Sequence, residues 1–318
     1  MFLEAFKITA PAVAQVLLLA LIGYFLKKRN TLSDEGLDAL STLTVDITLP
    51  VLIFCQLVKG FDFRVYPDWW VFPLISIAIT ALGLAVGFIF IGFIKGRQKK
   101  LQFLNLVAFQ NSGFLPLALI VSLLPAYKTG TMLIYLFLFL IGFNLVMWPL
   151  SVYILSCCVN NRPKLRTIFN APLLASLLGL ACVAIGINKF LPDTVIKPLR
   201  MLGDCTLPLA MLIVGADLAK LSVKTFDQTA VIWMSFAKLI ILPAIGLWAV
   251  FALRLPELIG LLIMIELCVP PATLLSSITR AYKHDDVLIS QGIFFGHILG
   301  LVTMPVFLSL YFARVMIK

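Results

Sequence analysis

Ten apolar runs, each about as long as a bilayer is thick, determine what this chain can fold into. They cover roughly residues 8–26, 35–57, 69–94, 102–124, 131–156, 171–191, 197–219, 229–252, 257–279 and 289–313. Because the runs are continuously apolar and do not alternate with polar residues, they are typical of transmembrane helices and not of barrel strands. The sequence therefore predicts an all-α polytopic membrane protein with ten spans, which we number in chain order.

The composition agrees with a membrane location and excludes several kinds of protein. The 318 residues are 61% hydrophobic and 13% charged, which leaves too little polar surface for a water-soluble globule of this size. The net charge of +10 does not indicate a nucleic-acid partner, because the basic residues form short clusters between apolar runs. The six cysteines lack the spacing of metal ligands, so we expect no metal site and no cofactor.

Two of the spans contain residues that interrupt a helix. These are the segment AFQNSGFLP at 108–116 in span four and the segment ELCVPPAT at 266–273 in span nine. Pro116, Pro270 and Pro271 have no N–H and crowd the preceding turn, so they predict unpaired backbone groups at membrane depth. Either break alone is compatible with a simple kink. Two breaks in matching positions of two halves indicate the binding site of a secondary transporter.

A repeated motif divides the chain into two halves. The pattern D-x-T-L-P occurs at 46–50 and again at 204–208, a shift of 158 positions. We therefore predict a single transmembrane transporter domain (1–318) built from two five-span repeats, 8–157 and 171–314. Because five is odd, the second repeat enters the membrane from the opposite face, which gives the inverted topology of alternating-access carriers.

These features together resemble the auxin efflux carrier family. The resemblance covers the whole chain and rests on three features: the Leu-Pro pairs of spans two and seven, the N-x-G-x-x-P break at 111–116 and the V-P-P-A break at 269–272. It implies the fold of the bile-acid sodium symporters, with spans four and nine crossing at their breaks in a transport domain that moves against a scaffold. It also implies transport of small organic anions such as auxin, malonate and malate, and a homodimer. The short connection 159–167 is typical of a compact prokaryotic member, because plant relatives have a long loop there.

The polar residues at the two breaks are the candidates for substrate binding. Asn111 and Gln110 offer amide donors to a carboxylate, and Gly113 lets the ligand approach the backbone. Thr273 follows the second break and is expected to approach from the other half. A half-helix that begins after a break also presents free amides and a positive dipole end to an anion.

Ionisable residues inside the spans are the candidates for coupling, because each is costly in a bilayer. Asp46 lies about 17 Å along span two, near the middle of the membrane, and its repeat mate Asp204 is comparably deep. We expect both to be buried, as proton carriers, as cation ligands or as groups that orient their own kinked helices. Glu266 and Lys238 are expected to pair. His297 is either a hydrogen-bonded interior histidine or a proton carrier.

The predicted function is secondary active transport of small carboxylates by alternating access, with no enzymatic activity. Coupling to protons or to the membrane potential is favoured, because the carboxylates are scattered and do not form one oxygen cage for sodium. A sodium-coupled symporter is the alternative. From other classes, an anion channel remains possible, as does an intramembrane aspartyl protease using Asp46 and Asp204. The protease is disfavoured, because the Tyr-Asp and Gly-x-Gly-Asp signatures do not surround these residues.

The basic clusters at 27–29 and 95–100 predict the orientation in the membrane. Both fall in loops that follow odd-numbered spans, and the positive-inside rule places such loops in the cytoplasm. We therefore expect a multi-pass protein of the cell inner (plasma) membrane, embedded in the lipid bilayer with both termini extracytoplasmic.

This orientation predicts the reactivity of introduced cysteines. In a variant without its native cysteines, Lys99→Cys and Lys164→Cys should react with a membrane-impermeant thiol reagent only from the cytoplasmic side. Labelling in intact and in permeabilised cells measures this difference. Reaction of either cysteine from the outside alone would overturn the topology.

Overall fold

The computed structural model describes residues 1–156, 169–221, 227–281 and 286–315. This part of the chain is all-helical apart from turns and one isolated β-bridge between two helix breaks. The predicted connection 159–167, with Lys164, lies outside the described residues.

Twelve helices in the described ranges are labelled in chain order. They are α1 (Phe2–Lys28), α2 (Asp34–Gly60), α3 (Val71–Phe93), α4 (Arg97–Ala108), α5 (Phe114–Leu123), α6 (Ala126–Ser156), α7 (Ala171–Ala184), α8 (Asp193–Lys220), α9 (Gln228–Ala252), α10 (Glu257–Cys268), α11 (Leu274–Ala281) and α12 (Val287–Val315).

Seven of these helices, among the described residues, are long and apolar enough to cross a membrane. They are α1, α2, α3, α6, α8, α9 and α12. The remaining five are shorter: α4 and α5 divide the predicted span four, α10 and α11 divide span nine, and α7 covers part of span six. The all-helical membrane class is therefore confirmed, while the count of ten spans stays a prediction because it depends on these shorter helices.

The helices pack as two groups. In the first group α1 packs on α8, and α2 packs on α7 and α8. In the second group α3 packs on α4 and α6, α9 packs on α10 and α12, and α4 also contacts α12. The groups meet where α1 contacts α5 and α12 and where α2 contacts α6. This arrangement places both interrupted helix pairs in the second group.

Glycines allow α1 and α8 to approach closely in the first group. A Cβ added at Gly215 would lie 1.7 Å from the carbonyl oxygen of Ala20, and one at Gly23 would lie 2.0 Å from that of Leu212. Both clashes are with backbone, which cannot rotate away. Small residues at such crossings let membrane helices pack by van der Waals contact and not by the hydrophobic effect.

The two copies of the D-x-T-L-P motif meet at the centre of the same group. The hydroxyl of Thr206 in α8 donates a hydrogen bond to the hydroxyl of Thr48 in α2 at 3.0 Å, and both residues are fully buried. In α2 the motif forms a π-helical turn over Thr44–Thr48, and in α8 the helix is interrupted at Cys205. Each irregularity precedes the motif's proline, which cannot donate to the helix.

The close crossing of α1 and α8 predicts a destabilising substitution. Gly215→Ala should lower the free energy of unfolding by about 1–3 kcal/mol, because the new Cβ must push the two backbones apart. The melting temperature of the detergent-purified protein reports this loss. Gly92→Ala is the matched control, since a Cβ there meets nothing within 4 Å. Equal melting temperatures for the two variants would contradict the crossing geometry.

Candidate functional site

The two interrupted helices are broken where the sequence predicts. The first pair is separated by residues 109–113, between the end of α4 and the start of α5. The second pair is separated by residues 269–273, between the end of α10 and the start of α11. Both breaks are therefore confirmed as non-helical segments.

These two segments pair with each other through their backbones. The N–H of Asn111 donates to the carbonyl of Pro270 at 2.9 Å, and the N–H of Ala272 donates to the carbonyl of Phe109 at 3.1 Å. The pairing is antiparallel, so it forms a minimal β-bridge inside a helical protein. Groups that the helices leave free thus satisfy one another at the crossing.

The prolines fit this pairing for different reasons. Pro271 faces Gln110 in the bridge, at a position where the ladder needs no N–H, since both bonds are made by neighbouring residues. Pro116 is the third residue of α5, where a missing N–H leaves no helical bond unmade. Pro116 therefore lies inside the first turn of the second half-helix, and the break itself ends before it.

Helix α12 packs directly on the crossing. A Cβ at Gly296 would lie 2.8 Å from Cδ of Pro271, and one at Gly300 would lie 3.8 Å from Cδ of Pro270. Between these glycines lies His297, which is 5% exposed and donates from Nδ1–H to the carbonyl of Ile293 at 2.8 Å. Its Nε2 has no hydrogen-bond partner in the described part of the chain. His297 is thus an interior histidine with one nitrogen available.

Buried polar groups without partners surround the crossing. Within the described ranges no hydrogen bond is made by the side-chain nitrogen of Asn111, either amide atom of Gln110, the hydroxyl of Ser112, either carboxylate oxygen of Glu266 or the ammonium of Lys238. Asn111 is 6% exposed, and the other four are at most 1% exposed. Each such group costs free energy unless water, an ion or a ligand satisfies it. Their concentration at one place indicates a binding site.

Glu266 and Lys238 are neighbours behind the crossing. Glu266 lies in the last turn of α10, and Lys238 lies in the π-helical turn Ala237–Ile241 of α9. The carboxylate is within electrostatic reach of the Lys238 ammonium, the Ser112 hydroxyl and the Gln110 amide. The two opposite charges are therefore near each other, but neither side chain forms a hydrogen bond with a described residue, so the expected pair is not formed in this structure.

Gly113 leaves space beside the first break. Its backbone is in the ordinary helical region, with φ −82° and ψ −60°, so glycine is not required there for a left-handed conformation. A Cβ at this position would meet nothing within 4 Å. The N-terminal amides of α5, which have no side-chain cap, therefore adjoin open space at Gly113.

A narrow cleft lies beside the second break. It lies between the end of α8, the helix α11 and α12, and its lining comprises Asp217, Lys220, Leu221, Thr273, Ser276, Ser277, Arg280 and Ile293. Thr273 both lines the cleft and follows Ala272, which pairs with the first break. The cleft therefore borders the second break at Thr273, and Lys220 and Arg280 also line it.

The structure corrects the expected burial of the two repeat aspartates. Asp46 and Asp204 are exposed and lie in the first group of helices, away from the crossing in the second. The reason is helical geometry: residues two positions apart point about 200° apart. Because Thr48 and Thr206 point inward to each other, Asp46 and Asp204 point outward. The expectation that both side chains are buried is wrong.

Sequence reasoning missed two residues of this region. Ser112 adjoins Asn111 in the same break, and its position next to that residue was an available signal. Arg280 lies just past the predicted span nine, so the sequence does not connect it with the two breaks. Its presence in the cleft follows from the approach of α8 and α11, which no local pattern reveals.

Comparison with known proteins gives a consistent set of relatives. The family model for membrane transport proteins matches residues 8–157 and 155–308. A protein of Methanothermobacter thermautotrophicus described as an uncharacterized transporter is 26% identical over 306 residues, which are 92% of this chain and 95% of that protein. Protein PIN-LIKES 1 of Arabidopsis thaliana is 28% identical over 170 residues, which are 47% of this chain and 35% of that protein.

Proposed function

Since the chain belongs to the auxin efflux carrier family of membrane transport proteins, we propose that it moves small organic anions across the membrane by alternating access. Its relatives are membrane transporters and not enzymes. The anion class, the coupling and the mechanism are our proposal, and one observation carries it. The crossing of two interrupted helices is surrounded by buried polar groups that have no partner within the described residues.

The proposed ligand is a carboxylate held beside the first break. The Asn111 side-chain nitrogen is a free donor, and the first-turn amides of α5 adjoin the space next to Gly113. Thr273 and its neighbouring amides contribute from the second break. Helix N-termini and amide donors suit an anion, because both present N–H groups to its negative charge. The side-chain amide of Gln110 is the last proposed donor to the carboxylate.

An inverted repeat of ten spans is the proposed framework for alternating access. The family model matches the chain in two segments that meet near the boundary of the proposed repeats. Thr48 and Thr206 occupy the same position of the repeated motif and form a hydrogen bond to each other. Equivalent residues of two repeats contact each other directly where a two-fold axis passes between them. The antiparallel bridge between the two breaks has the same two-fold character. These contacts support two inverted repeats related by one axis.

The proposed movement is of the second group of helices against the first. At the end opposite the cleft, the groups are joined by a hydrogen bond of 2.7 Å between Thr9 and Ser309 and by one of 3.0 Å from Gln56 to the carbonyl of Gly130. The cleft at the other end separates α8 from α11. This asymmetry supports a conformation closed at one face and accessible from the other. The positive-inside rule makes the accessible face cytoplasmic.

We propose coupling to protons or to the membrane potential, with sodium coupling as the alternative. The site has one carboxylate, Glu266, and one histidine, His297, both buried near the crossing. Asp46 and Asp204 remain candidates for coupling, but both side chains are exposed. An anion channel is the second candidate function. A carrier is favoured over it, because hydrogen bonds between the two groups of helices close one face of the protein.

The proposed setting is the plasma membrane with both termini outside, and the proposed assembly is a homodimer.

Removal of the Asn111 amide should weaken substrate binding. Asn111→Ala is expected to cost about 1–3 kcal/mol of binding free energy, because a desolvated carboxylate loses one donor. The wild type is first screened by thermal shift against mono- and dicarboxylates at two pH values, since a ligand of the native state raises the melting temperature. Asn188→Ala is the control, because Asn188 bonds to the Val58 carbonyl in the first group of helices. Unchanged affinity in a folded Asn111→Ala variant would place the site elsewhere.

The coupling is tested by flux into proteoliposomes. Uptake of the anion found in that screen should saturate and show counterflow, which distinguishes a carrier from a channel. A proton gradient or an electrical potential should accelerate uptake. A sodium gradient at clamped pH and voltage should not, and acceleration by sodium under those conditions would defeat the proton interpretation.

A further inference from the structure

Four aromatic rings form a cluster where the end of α3 meets the beginning of α9. Phe93 stacks on Trp233 with the ring centroids 4.1 Å apart, and Phe90 stacks on the same indole at 5.4 Å. Phe236 contacts both Phe90 and Trp233 edge-on. Phe90 and Phe93 lie in the last turn of α3, and Trp233 and Phe236 lie in the first three turns of α9. The cluster therefore joins two helix ends.

This aromatic cluster faces the surroundings of the protein and not its core. Phe93 is 51% exposed and Phe236 is 41% exposed. On the same two helices Phe88 and Ile232 are exposed as well. Aromatic side chains, tryptophan above all, are enriched where the hydrocarbon of a bilayer meets its headgroups. We therefore place the cluster at this boundary, with its rings in contact with lipid.

A basic segment follows the aromatic cluster directly in the chain. It comprises Lys95, Arg97, Lys99 and Lys100, and α4 begins within it. Helix α4 and the turn Ile91–Phe93 both contact the segment Gln228–Phe236 of α9. Lys99 also forms an ion pair with Asp227, whose side chain caps the start of α9. The basic segment and the aromatic cluster therefore lie at the same end of α3, α4 and α9.

Positive charge is in excess at this end. Asp227 balances the charge of Lys99. Lys95 is exposed and Lys100 is half-buried, and neither forms an ion pair with a residue in the described ranges. The first turn of α4 contains no acidic residue, although the N-terminal end of a helix favours negative charge. A negative group from outside the chain would relieve the repulsion among these charges.

We propose that this end of α3, α4 and α9 binds an anionic phospholipid, with the headgroup phosphate at Lys95 and Lys100 and an acyl chain along the aromatic cluster. A phosphate is a strong acceptor for lysine ammonium groups. The lipid suits the surface because one molecule has both a negative headgroup and apolar chains. A soluble acidic polypeptide would match the lysines but would not cover the rings. This partner goes beyond the proposed function, and its binding is measured without substrate or flux.

Trp233 provides a direct reporter of lipid contact. In one variant it is kept as the single tryptophan, and the other four are replaced by phenylalanine. The protein is reconstituted in phosphatidylcholine with increasing fractions of brominated phosphatidylglycerol or brominated phosphatidylcholine, because bromine quenches an indole that it contacts. At equal mole fraction brominated phosphatidylglycerol should quench Trp233 more, with a relative binding constant several-fold above one. Bromolipid in both leaflets makes the result independent of orientation.

Substitution of the two lysines identifies the source of this preference. Lys95→Gln/Lys100→Gln should bring the relative binding constant close to one, and Lys95→Arg/Lys100→Arg should keep it high, because the positive charges remain. Trp248 is the matched control, since it is exposed on the same helix near its other end. In a variant with Trp248 as the single tryptophan, quenching should not change when the lysines are replaced.

Three results would overturn the proposal. The first is equal quenching of Trp233 by the two brominated lipids in protein that keeps all its lysines, and this comparison does not require the glutamine variant to fold. The second is a preference for phosphatidylglycerol that Lys95→Gln/Lys100→Gln leaves unchanged, since another charge would then attract the lipid. The third is equal quenching together with a change in Trp233 emission on addition of polyglutamate, which would identify an acidic polypeptide as the partner.

Discussion

The two backbone hydrogen bonds between the helix breaks are the interaction on which the rest of the structure depends. Residues 109–113 and 269–273 have left the helical pattern at a depth where lipid offers no partner for an N–H or a carbonyl. Pairing Asn111 with Pro270 and Ala272 with Phe109 satisfies four of these groups at once. The pairing also fixes where the half-helices α5 and α11 begin. The positions of Asn111, Ser112 and Thr273 follow from it.

The sequence predicts the breaks well because proline and glycine act locally. A residue without an N–H disturbs the helix wherever it stands, so the neighbourhood of Pro116 and of Pro270 could be identified from the chain alone. The β-bridge between the two breaks could not be predicted from the sequence, since its register depends on which backbone groups meet in space. Pro116 illustrates the limit. It marks the break but lies within the first turn of α5, so the pairing of the two segments maintains the break as much as the proline does.

The orientation of side chains around the spans was the weakest part of the sequence interpretation. The prediction that Asp46 and Asp204 are buried used only their depth along the span, although charged residues in the segments before them, Asp34–Leu43 and Asp193–Asp204, already indicated a polar face. The structure turns them outward because Thr48 and Thr206 turn inward. The repeated motif was a signal for these two threonines, but only the structure shows that its two copies meet. The cleft was beyond prediction, since it joins α8 and α11 across a long stretch of chain.

The proposed two-fold framework and the proposed chemistry place opposite demands on the sequence. Alternating access favours two halves of similar structure, so that each can adopt the conformation of the other. Coupling instead needs an ionisable side chain in only one of the halves. The bridge makes Gln110 of the first half equivalent to Pro271 of the second. Counting five residues back along each half makes Asn105 equivalent to Glu266. Both are fully buried, and Asn105 also has an amide oxygen without a partner in the described ranges. One half thus carries a neutral amide where the other carries a carboxylate and faces Lys238. In the proposed mechanism, symmetry of the backbone would serve the movement, and asymmetry of these side chains would confine the charge to one half.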